Sequence, residues 1–145
     1  MSGLQRSVMR VLKFFHVMCF CFSIGPANAA LATQNFTGMW TWSKAPSSAS
    51  FSLDLRQTGR QLDGQYCAVA QNGNRVDCDD ERNPNVKGTL TTSGDAVIVK
   101  FSSFFGATGG RAELRKSSGH LIWHILEAPH GGEFWAPKDA ILDAE

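Results

Sequence analysis

Between Phe36 and Glu127, apolar and polar residues alternate in short runs, with turn residues every eight to twelve positions and no sustained helical period. Phe36, Gly38, Trp40 and Trp42 share one parity. Phe51, Leu53 and Leu55 alternate with Ser52, Asp54 and Arg56 up to Thr58-Gly59. In the next run Leu62, Gly64, Tyr66, Ala68 and Ala70 lie on one face, with Cys67 and Val69 on the other. Alternation alone leaves open which of those faces turns inward. Val86 to Leu90, Val97 to Phe101, Ala112 to Leu114 and Leu121 to Ile125 repeat the two-residue period. Phe134-Trp135 and Ala140-Ile141-Leu142 are the last apolar clusters and read as one short strand and a tail.

About eight strands joined by short turns, without a crossover-length helix, predict an all-β fold with antiparallel, up-and-down connections. Closing such a sheet into a barrel removes its exposed edges. A barrel of about eight strands has an interior that side chains fill or one small ligand occupies. A two-sheet β-sandwich is the competing architecture.

The sharpest local signal is Cys67-Ala68-Val69-Ala70-Gln71-Asn72-Gly73-Asn74-Arg75-Val76-Asp77-Cys78. Asn-Gly between alternating runs predicts a type I′ hairpin, because both central residues need positive φ. With Asn72 and Gly73 at the turn, Val69 faces Val76 and Cys67 faces Cys78 on the same side of the ribbon. As a hydrogen-bonded pair their Cα atoms would stand roughly 5.5 Å apart, within reach of a disulfide. A one-residue bulge that moves them to a closer site is the alternative.

The first 29 residues do not belong to this pattern. Arg6, Arg10 and Lys13 precede an almost wholly apolar run from Phe14 to Ile24, and Ala27-Asn28-Ala29 supplies a small-x-small cleavage signal. The apolar run is about half the ~20 residues that span a bilayer. The reading is a signal peptide over 1–29, cleaved after Ala29 (Ala32 is a second candidate), and a single domain over 30–145. That predicts a periplasmic or secreted protein without a stable membrane anchor after cleavage. Removing the three leader cations leaves 11 basic against 13 acidic residues, a net charge of −2 with neutral histidines. Such a balance offers no footprint for nucleic acid. The two cysteines left in the mature chain fit one structural disulfide in an oxidising compartment. Asn35-Phe36-Thr37 is a glycosylation sequon only in a eukaryotic source.

Gly38-Met39-Trp40 resembles the G-x-W opening of the calycins, the lipocalin and avidin barrels, and Leu62-Asp63-Gly64-Gln65-Tyr66 resembles the second hairpin of the avidins. Tyr66 stands where that family places a biotin-contacting tyrosine, whereas Ala68 stands where it places a hydrogen-bonding serine. The late tryptophan and aspartate of the biotin site have no secure counterpart. The resemblance implies the barrel rather than biotin binding.

Few residues suggest chemistry. His120 and His124 on one strand would stand roughly 13 Å apart, too far to share a metal ion, and only a folded-back His130 could join either of them. Asp77, Asp79, Asp80 and Glu81 lack the spacing of a calcium loop and read as a solvated segment beside the disulfide, or as an acidic patch. Gly106 to Gly110 lacks the setting of a phosphate loop. No catalytic constellation, cofactor or metal site is expected.

Two uses of the surface are predicted instead. The first is a non-enzymatic binding protein, of inhibitor or immunity type, that meets a protein partner through loops at one end of the barrel. Phe104 and Phe105, beside a Gly-rich loop read as flexible, and Asp79, Asp80 and Glu81 would make that contact. The second is a carrier of a small apolar ligand held inside the barrel by Trp40, Trp42, Tyr66 and Trp123.

Overall fold

The computed structural model describes residues 34–145 apart from Asp80 and Arg82. The expected leader and its cleavage site lie outside the described residues. Nine strands follow in order: β1 Gly38–Thr41, β2 Ser50–Thr58, β3 Gln61–Ala70, β4 Arg75–Asp77, β5 Val86–Leu90, β6 Ala96–Phe101, β7 Gly110–Ser117, β8 His120–Glu127 and β9 Asp139–Ala144.

All pairings between these strands are antiparallel, and eight of the strands close into a barrel in the order β1-β2-β3-β5-β6-β7-β8-β9, with β9 returning to β1. The ninth, β4, extends β3. The barrel reading therefore holds and the sandwich does not. The closing strand corrects the expectation for the C-terminal end. Phe134-Trp135 is loop, and the supposed tail is β9. Ala140-Ile141-Leu142 hid its alternation because the outward residue, Ile141, is itself apolar and 55% exposed.

Inside, the two-residue period holds throughout. Leu62, Tyr66 and Ala68 face inward on β3, which settles the ambiguity and puts Cys67 and Val69 outside. Phe51, Tyr66, Phe101 and Trp123 meet across the axis with ring centroids 5.2–6.1 Å apart. Tilted and edge-on contacts of this kind suit the ring quadrupoles. Burying each ring stabilises the fold by ~1.5–3 kcal/mol.

β3 changes neighbours part-way along. Residues 61–64 pair with β5, while 68–70 pair with β4. At the change a Cβ on Gly64 would lie 2.2 Å from the Asp54 carbonyl oxygen, so only glycine fits that close approach. Asn85 bridges the gap. Its Oδ1 accepts the Tyr66 N–H at 3.0 Å, and its Nδ2 donates to the Ser102 carbonyl at 2.9 Å. This switch frees the far half of β3 to carry the Cys67–Cys78 hairpin beyond the barrel wall.

Candidate partner-binding mouth of the barrel

The hairpin forms in the predicted register, with Val69 opposite Val76 and Ala68 opposite Asp77. Asn72 and Gly73 have φ of 57° and 90°, and the Asn74 N–H donates to the Gln71 carbonyl at 3.2 Å, as a type I′ turn requires. Gln71 also has positive φ, at 54°. Cys67 and Cys78 are bonded one step beyond the last ladder pair, with Cα atoms 4.4 Å apart, closer than the spacing expected for a regular hydrogen-bonded pair. A disulfide there is compatible with an oxidising, exported location. Among the described residues no helix is long and apolar enough to cross a membrane.

Register also decides what Asp77 does. Ala68 faces inward, so Asp77 opposite it faces the barrel mouth and is 0% exposed. The Tyr66 hydroxyl donates to its Oδ2 at 2.5 Å, and the Trp135 N–H to the same oxygen at 3.2 Å. The Ser103 hydroxyl and the Phe104 N–H each donate to Oδ1 at 3.0 Å. Burying a carboxylate is costly unless its lone pairs are met, and here four donors meet them. Burial, then the hydrogen bond to Asp77, pushes the Tyr66 phenol far above its ordinary range. Asp77 is thus not part of a solvated acidic loop. It ties β3, β4 and two loops together at one point.

The loop that carries Phe104 and Phe105 is correspondingly held, which corrects the expectation of a flexible one. The Ser103 Oγ accepts the Phe105 N–H at 2.9 Å. Thr108 and His130 exchange both backbone hydrogen bonds at 2.9 Å, and Gly106 bridges to Glu133, zipping this loop to the 128–138 loop. A Cβ on Gly132 would stand 2.4 Å from the Phe105 carbonyl oxygen, so the seam depends on glycine. Trp123 Nε1 donates to the Pro137 carbonyl at 2.8 Å and anchors the second loop to the wall. Phe104 packs 6.5 Å from the Tyr66 ring and is 37% exposed, while Phe105 is 45% exposed. Beside them the Arg75 guanidinium lies 5.3 Å from the Trp135 ring centroid, within cation–π range.

The other candidates fall elsewhere. Asp79 accepts the Glu81 N–H at 2.9 Å and Asn83 Nδ2 at 2.6 Å. Those bonds, the Glu81 amide first, hold its carboxyl below the usual range. It borders a groove of about 320 Å³ on the outer wall, with Met39, Ser52, Gln65 and the disulfide. Glu81 is exposed, and Asp80 lies outside the described residues. Asp77 links this acidic segment to the aromatic loop. Trp40, Tyr66 and Trp123 are inside the barrel, but Trp42 leaves β1 and borders an outer groove with Lys44 and Ile141. His120 and His124 pair with Asp143 and Asp139, each at 2.5 Å, and His130 belongs to the loop seam. Among the described residues no three His, Cys, Asp or Glu side chains are grouped to hold a metal ion.

No protein-family model, curated protein or solved structure matches this chain. Its function has to be read from the chemistry of its own surface.

Proposed function

We propose that this is an exported, non-enzymatic binding protein that recognises a protein partner through the mouth of its barrel, as an inhibitor or immunity-type protein does, in the periplasm or outside the cell. The observation that carries this reading is the pair of half-exposed rings, Phe104 and Phe105, on a loop whose backbone is fixed from beneath by Asp77 and Ser103. An exposed ring buried in a partner contributes ~1.5–3 kcal/mol. Ordering a free loop costs about 1–2 kcal/mol per residue, and a loop already held spares most of that cost. Trp135 with Arg75 widens the aromatic surface, and the acidic segment that follows Asp77, with Asp79 and Glu81, offers charge to a basic rim on the partner.

The carrier reading has less support. Tyr66 and Trp123 are 0% exposed and Phe51 is 1% exposed, and their rings pack against one another and against Phe101 across the axis. The calycin resemblance enters this proposal only as a likeness of barrel.

The test is capture from envelope extract with wild-type protein and with Phe105→Ala, read by mass spectrometry. A partner enriched by the wild type and weakened about ten- to hundredfold by Phe105→Ala, at unchanged melting temperature, supports the reading. Equal capture by both removes the mouth from the account. N-terminal sequencing of exported protein, expected to begin at Ala30, checks the compartment, and an intact Met1 on folded protein would contradict it.

A further inference from the structure

The outer face of β8 and β9 carries a pattern that the mouth does not explain. β8 turns His120, Ile122 and His124 outward. Opposite them on β9 stand Asp143, Ile141 and Asp139. Each histidine Nδ1 lies 2.5 Å from its aspartate, and the four side chains are 43–65% exposed. Ile141 is the most exposed large apolar residue described. Ion pairs this exposed add little to the stability of a fold, and an apolar side chain left in water adds nothing.

The arrangement is complementary to itself. Let a second copy be turned by half a revolution about an axis lying in the contact plane, between β8 and β9 and parallel to them. Its β8 then lies over the first copy's β9 at the same level along the strand. Each histidine meets an aspartate of the other copy, and Ile122 meets Ile141. That is an isologous, closed contact. A face with one sign of charge on both strands would repel its own copy under the same operation. An unrelated partner would need an acidic and a basic column whose charges stand four residues, or roughly 13 Å, apart along each strand.

We propose that the β8–β9 face is a two-fold interface between copies of this chain, with Ile122 and Ile141 at its centre and histidine–aspartate pairs between copies on either side. A barrel wall is convex, so the contact is a strip smaller than the ~800 Å² per partner of a standard interface. Association is accordingly weak, with a dissociation constant on the order of 0.1 mM.

Sedimentation equilibrium of the purified protein near pH 6, where an ordinary histidine is largely charged, tests this with two charge variants. His120→Asp with His124→Asp makes both columns acidic, and Asp139→His with Asp143→His makes both basic. The wild type should dimerise, each double variant should bind its own kind at least tenfold more weakly, and an equimolar mixture of the two should dimerise again. Ile141→Asp should also weaken the dimer, whereas Lys100→Glu, on β6, should not. If loss of the Ser43–Asp143 hydrogen bond unfolds the basic variant, the acidic variant and Ile141→Asp still decide, since both must dissociate. A wild type that stays monomeric to about 1 mM, or double variants that associate as well as it does, would overturn the proposal.

Discussion

Asp77 and the pair Asp139 and Asp143 are the same side chain in opposite circumstances. Asp77 is out of contact with water and receives four hydrogen bonds from residues spread over β3 and two loops. Asp139 and Asp143 stand on the outer wall, 65% and 43% exposed, each facing a histidine on the neighbouring strand. Water solvates the exposed carboxylates whether or not their partners are present, so their place in the sequence adds little to folding. Nothing but protein solvates Asp77, so its donors must be in place whenever the chain is folded. A buried charge of this kind fixes geometry, while an exposed one leaves the fold indifferent and informs only what touches the surface.

The largest expected effect is at the buried end of this contrast. Asp77→Ala should destabilise the fold by about 3–5 kcal/mol, because it leaves two hydroxyls and two amides without their acceptor at a buried position. Denaturant unfolding checks this, and a loss under about 1 kcal/mol would make the buried carboxylate no different from the exposed ones. Tyr66→Phe removes only one of the four donors and should cost about 1.5–3 kcal/mol at neutral pH, again by denaturant unfolding.

That second cost should depend on pH with a defined sign. The phenol is held above its ordinary value in the folded protein, so its contribution is complete below about pH 10. Above that the unfolded chain ionises while the folded one resists, and the contribution is lost as pH rises. The stability gap between wild type and Tyr66→Phe should therefore narrow above about pH 10. A gap that widens there would contradict the burial of the hydroxyl.

The disulfide lies on the outer side of the same hairpin. Replacing Cys67 and Cys78 by Ser should cost less, about 1–2 kcal/mol in denaturant unfolding, since the Asn72-Gly73 turn already holds the strands together. Smallest of all, Asp139→Asn should leave the thermal midpoint unchanged within error. A marked loss there would erase the distinction between the two kinds of carboxylate.

Much of the barrel was legible because its strands bury one face against a common interior, and alternation records that directly. The hairpin was legible because Asn-Gly dictates a turn, and the turn dictates the register that joins Cys67 to Cys78. Asp77 was not, because it sits in an acidic run, Asp77 to Glu81, that composition marks as solvated. The missing fact was which face of β3 turns inward. Once Leu62 and Tyr66 are inside, the register places Asp77 beside Ala68 and hence inside too. β9 was obscured for a related reason. Its outward residues are Asp139, Ile141 and Asp143, and an isoleucine on the wet face breaks the expected contrast. Trp42 shares the parity of Trp40 but falls after β1 ends, where parity no longer governs direction.

The claim on which the rest depends is that Asp77 holds the Phe104 loop in one conformation before any partner arrives. Native-state hydrogen exchange of the Phe104 and Trp135 amides measures this most directly, since both donate to the Asp77 carboxylate and neither belongs to a strand. Protection close to that of amides in the barrel strands, lost in Asp77→Ala under conditions where the strands stay protected, is the expected result. Exchange of either amide at the rate of an open loop in the wild type would contradict the account.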